Sequence, residues 1–140
     1  MPERVEVEGM HTVDRAGVAH RSQVVGDELL LRTIGRTVRH PLTSLDAPVL
    51  ATIDRWEALH LRLAGGVHLV TLSAAFWGEE GVRMLADRLG ADRPQVATRA
   101  ELAQRYPGSL TFWRRHRGWG YAVYAVSVVA VFFVLSRFLL

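Results

Sequence analysis

From Gly118 to Ser136 the chain runs nineteen residues without a charge, GWGYAVYAVSVVAVFFVLS, and that run constrains the rest of the molecule more than any other feature. As a helix it spans roughly 28 Å at about 1.5 Å per residue, close to the hydrocarbon thickness of a bilayer. Its valines favour a strand in water, but a lone strand in lipid leaves its backbone unpaired, so a helix is expected. The residues before it are too few to wrap a helix that is apolar on every side. A single transmembrane helix over residues 118–140 is therefore expected.

The flanking charges orient it. All seventeen basic residues are arginine. Thirteen precede residue 110, where all fourteen acidic residues also lie, so residues 1–110 carry a formal charge of −1. The basicity belongs to the membrane end, with Arg114, Arg115 and Arg117 before the apolar run and Arg137 near its far end. This excludes an electrostatic footprint for nucleic acid on the soluble part. The positive-inside bias places the N-terminal domain in the cytoplasm and the protein in the plasma membrane as a single-pass species. Trp113, Trp119 and Tyr121 complete the membrane-flanking set with those four arginines, since amphipathic rings favour the headgroup boundary. The basic cluster also permits weak contact with anionic lipid, about 1 kcal/mol per arginine at a charged leaflet. The opening Met1-Pro2-Glu3-Arg4-Val5-Glu6 alternates charged and apolar residues, so no cleaved export signal is expected. Cysteine is absent, which rules out disulfides and thiolate metal sites.

Before the linker the chain alternates short apolar runs with turn signals, the pattern of an all-β unit. Strands are expected at Arg4–Val13, Val18–Val25, Glu28–Thr33, Arg36–His40, Pro48–Ile53, Glu57–Ala64 and from Val67 to Leu72. Gly65-Gly66 marks a hairpin. Pairing Ala64 with Val67 sets Leu61 opposite Val70 and Leu63 opposite His68, and gives Leu59, Leu61, Leu63, Val70 and Leu72 one face. His60, Arg62 and Thr71 take the other face, so His60 and His68 fall on opposite sides. A helix follows over Gly78–Leu89, with Val82, Leu85, Ala86 and Leu89 at helical spacing, Glu79 and Glu80 at its positive end, and Gly90 closing it. Thr98-x-x-Glu101 is a capping box for a short linker helix reaching Tyr106. Ser109–Arg117 is expected to form a juxtamembrane turn or helix. The divisions are residues 1–92, 93–117 and 118–140.

The stretch Asp27-ELLLRTIGRTVRHPLTSL-Asp46 resembles bacterial, actinobacterial-type PH-like domain proteins with a C-terminal transmembrane anchor. His40-Pro41-Leu42-Thr43-Ser44-Leu45 takes the place of that family's Ile-Pro corner, with His40 where an aliphatic residue is usual. The resemblance spans roughly residues 15–90 and implies a mainly β fold. That fold is a PH-like barrel of six or seven antiparallel strands with one capping α-helix. Phosphoinositide-binding members use Lys and Arg around the first hairpin. Here Arg15, Arg21, Arg32, Arg36 and Arg39 stand among Asp14, Asp27 and Glu28 with no lysine, a departure from that pattern. Such folds serve lipid, peptide and protein binding alike.

No catalytic pattern emerges. Histidine spacing matches no metal motif, Glu79 and Glu80 are adjacent and diverge on a helix, and Gly65-Gly66 is a turn with no helix behind it to hold phosphate. Trp56, Phe76 and Trp77 are expected to pack in the core or at a rim. The expectation is a non-enzymatic, membrane-tethered binding or scaffold module without metal or cofactor. Its partners are the lipid bilayer and another membrane protein or complex. The alternative is an accessory subunit of a large membrane complex, respiratory or transport, with Ala122, Ala125 and Ser127 giving a close-packing helix face.

Overall fold

The computed structural model describes residues 4–14, 17–33, 35–111 and 116–139. Among the described residues seven strands form two antiparallel sheets. β1 (Arg4–Asp14), β2 (Gly17–Val25), β3 (Glu28–Thr33) and β4 (Arg36–Pro41) pair in sequence order as one sheet. β5 (Val49–Ile53), β6 (Trp56–Leu63) and β7 (Val67–Ser73) form the second. Among the described residues four helices follow: α1 (Ala74–Trp77), α2 (Glu79–Leu89), α3 (Arg99–Arg105) and α4 (Arg117–Leu139). The expected closed barrel does not form, because among the described residues no ladder joins the two sheets. The link is a corner instead. A 3₁₀ turn over Leu42–Ser44 follows β4, and Ala64 N–H donates to Ser44 O at 2.8 Å while Asp46 N–H donates to Arg62 O at 2.9 Å.

The alternation that builds each strand also builds the core. Val24, Leu29 and Leu31 point inward from the first sheet. Leu50, Leu59, Leu61, Leu69, Val70 and Leu72 meet them from the second. Trp77 of α1 and Val82, Leu85 and Ala86 of α2 close this layer, with both helices lying against strands of both sheets. Gly78, at φ +83°, breaks the chain between α1 and α2. Gly90 adopts the left-handed conformation beyond α2, where its N–H meets the carbonyls of Ala86 and Asp87.

β5 is buried on both faces. Leu50 faces the main core, while Val49 and Ala51 are buried on the other side beneath Leu102 of α3, with Val96, Tyr106 and Leu110 packed around them. Residues 96–110, within the segment assigned to the linker, thus lie on the outer face of this sheet. Thr98 caps α3 as its motif requires, accepting Glu101 N–H at 3.2 Å, and the Glu101 carboxylate accepts Ala97 N–H at 2.9 Å.

His40, opposite Leu29 in the β3–β4 ladder, is half-buried, and its Nε2 finds no hydrogen-bond partner among the described residues. Burial therefore lowers its pKa below the ordinary 6.5. The unfolded chain takes up a proton first as pH falls, so stability declines from about pH 6.5 down to the lower folded value and then levels. His40→Leu is expected to flatten that part of the profile. Urea unfolding at pH 7.5 and 5.0 measures it, and an unchanged difference between the two pH values would refute this account.

α4 is long and apolar enough to cross a membrane, and its central window is wholly exposed. With no polar face, the helix has no cover from the β domain among the described residues.

Candidate functional site

The outer face of the β5–β6–β7 sheet carries the polar chemistry, and a β-bulge decides which residues meet there. From Leu59 to Leu61 the expected hairpin register holds, with Leu61 opposite Val70 and His60 opposite Thr71. Nearer the turn it shifts: Arg62 pairs with His68 and Leu63 with Val67, not Leu63 with His68 and Ala64 with Val67. The extra residue is absorbed around Leu69, and Leu69 and Val70 both enter the core.

The consequence is a correction to the expected placement of the two histidines. His68 Nε2 lies 3.0 Å from Thr71 Oγ1, and Thr71 Oγ1 lies 3.3 Å from His60 Nδ1. All three side chains are buried. His60 Nδ1 also lies 3.0 Å from the Ser109 carbonyl oxygen. A carbonyl only accepts, so in this contact the proton sits on Nδ1, which donates. This relay holds the segment after α3 onto the sheet.

Arg62 is the second brace. Its guanidinium donates to Pro107 O at 2.9 Å and to Ala47 O at 3.1 Å, sits 3.5 Å from the Asp46 carboxylate, and lies 5.6 Å from the centre of the Tyr106 ring. Beside it, Gly108 and Gly66 touch backbone to backbone.

These braces frame a cleft of about 690 Å³ on the same face. His60 and Thr71 lie at its base, Ala51, Ile53, Ala58 and Leu110 line it, and Trp56 and Phe76 stand at its rim, 59% and 53% exposed. Arg99, the first residue of α3, supplies the only formal charge among the lining residues and makes no ion pair among the described residues. Of the three residues expected in the core or at a rim, Trp77 packs in the core, whereas Trp56 and Phe76 are exposed. Asp54 and Arg55, both at positive φ, make the two-residue turn that pairs Trp56 with Ile53 and leaves it on the outside.

A second cleft, of about 740 Å³, lies between α2, β5 and residues 93–97. Its charges already answer one another: Arg83 holds the Glu57 carboxylate through Nε and Nη2 and also pairs with Glu79, contacts that raise the Arg83 pKa. The Trp56–Phe76 cleft, with an unanswered charge and exposed aromatic walls, is the better candidate site.

Comparison with protein-family models, curated proteins and solved structures finds no match.

Of the expected membrane-flanking residues, Trp113, Arg114 and Arg115 lie outside the described residues. Arg117 opens α4, Trp119 and Tyr121 are exposed in its first turns, and Arg137 is exposed in its last. Trp119 and Arg137 are separated by roughly 27 Å along the helix axis at about 1.5 Å per residue. Among the described residues no group of three or more histidines and carboxylates could hold a metal ion.

Proposed function

We propose that this protein is a non-enzymatic binding or scaffold module tethered to the plasma membrane by α4, with its β domain in the cytoplasm, where it docks a membrane-protein partner. The observation that carries the reading is α4 itself, a helix apolar on all sides and exposed throughout its central window. Water is a poor solvent for that surface, and hydrocarbon is a good one. The tether then restricts the β domain to the membrane surface, where a partner is met at high effective concentration.

The PH-like reading belongs here too. A four-stranded meander, a three-stranded meander and then a helix with Val82, Leu85 and Ala86 in the shared core support it. The unclosed barrel is a departure from that class.

The test is purification of the full chain from native membranes after crosslinking, followed by mass spectrometry. One membrane component enriched over an unrelated tethered control is expected, and recovery of the chain alone would sink the docking claim. A full chain that stays in the soluble fraction without detergent would sink the tether.

A second reading, an accessory subunit of a large membrane complex, draws on Gly118, Ala122 and Ala125, which recur along one stripe of α4. Ser127 adds little, because its hydroxyl already donates to Val123 O at 2.8 Å within the helix. Comigration with a large assembly on native gels in mild detergent favours this reading, and a small species favours the scaffold.

A further inference from the structure

The Trp56–Phe76 cleft has a location as well as a shape. Leu110 forms part of its wall, and Arg117, the first residue of α4, follows it by seven steps along the chain. Even fully extended, seven steps reach roughly 25 Å. Once α4 is in a bilayer, the cleft wall stays within that reach of the headgroup layer. Exposed Trp56 at its rim suits that zone of the membrane, where flat amphipathic rings are favoured, and exposed Phe76 adds apolar surface beside it. Behind them the walls are Ala51, Ile53, Ala58 and Leu110, and the single charge is positive. Apolar walls with one cation, above a base of His60 and Thr71 and near a leaflet, are complementary to one chemistry.

We propose that this cleft holds an acyl chain of an anionic phospholipid from the leaflet that anchors α4, with the lipid phosphate paired to Arg99. The proposal rests on the tether described above and is independent of any protein partner. Trp56 and Phe76 flank the chain, and Arg99 at the start of α3 meets the headgroup.

The test uses the full chain in nanodiscs of phosphatidylcholine and phosphatidylglycerol, doped with a phosphatidylglycerol bearing a diazirine on one acyl chain. After illumination the adducts are mapped by mass spectrometry. Adducts are expected on α4 and on the peptides holding Trp56 and Phe76. Ala58→Trp, which fills the cleft, is expected to cut the cleft adducts about tenfold while leaving those on α4 unchanged. Should that variant fail to fold, Arg99→Glu serves instead, with a loss of about threefold expected from removal of one exposed charge pair. Adducts on α4 without adducts at the cleft overturn this inference and leave the tether standing. Adducts on neither overturn both. Cleft labelling that a folded Ala58→Trp or Arg99→Glu variant leaves unchanged shows incidental surface contact and also overturns it.

Discussion

Gly108→Ala is expected to destabilise the β domain by about 4 kcal/mol, the larger part of it steric. At φ +80°, Gly108 occupies a region that alanine enters only with strain. A methyl group there would sit 1.7 Å from the Gly66 carbonyl oxygen and 2.4 Å from its carbon. Those atoms belong to the β6–β7 turn, at a glycine that is itself at φ +74°, so the obstacle is backbone and has no rotamer to change. Relief comes only if the turn after α3 lifts away. Lifting breaks the Arg62 bond to Pro107 O and the His60 contact with Ser109 O, and uncovers Leu110. Gly65→Ala is the control, since its Cβ would meet open space at φ +89° and should cost about 1 kcal/mol in backbone strain alone. Denaturant unfolding in mild detergent, followed by tryptophan fluorescence, compares the two. If Gly108→Ala is no worse than Gly65→Ala, the glycine–glycine contact does not hold this segment down.

The contrast between those two glycines also marks what could be read along the chain. Gly26, Gly35 and Gly90 sit at positive φ where strands or a helix end, and punctuation of that kind is local, so the boundaries of β2, β3 and α2 were legible. The stripe of Val82, Leu85 and Ala86 was legible for the same reason, because one helix period lies within one segment. The bulge at Leu69 was not. Between Val67 and Leu72 two consecutive apolar residues can each take the core side, and nothing marks which position absorbs the slip. That one-residue shift moved His68 across the sheet and created the relay to His60. Nor was the docking of α3 legible, since Val49, Leu50 and Ala51 form one apolar run and burial on both faces is decided by a segment far along the chain. The cleft inherits this difficulty: Trp56, Phe76 and Arg99 come from three elements, and only the fold brings them together.

Arg62 shows the same long-range logic, and its replacement is the second large effect expected. Arginine is ordinarily a surface residue, yet here it is 6% exposed. Its planar fork satisfies carbonyls 45 and 15 residues away in sequence, Pro107 and Ala47, a task a single ammonium cannot divide between two sites at these distances. The Asp46 contact is a lesser contribution, because that carboxylate is 43% exposed and keeps its water if the arginine is lost. Arg62→Met retains most of the stem and strands the two carbonyls, for an expected loss of about 2 kcal/mol. Arg62→Ala adds a cavity beside Tyr106 and should lose about 3 kcal/mol. The informative measurement is the cycle with Gly108→Ala. If the turn has already lifted, Arg62 has lost Pro107 before it is mutated, and the double variant should be less unstable than the two losses summed by about 1 kcal/mol. A strictly additive result would mean that the glycine contact and the arginine brace act on separate parts of the structure. The segment leading to α4 would then be held to the β domain piecemeal, and the cleft wall at Leu110 could move without disturbing the sheet beneath it.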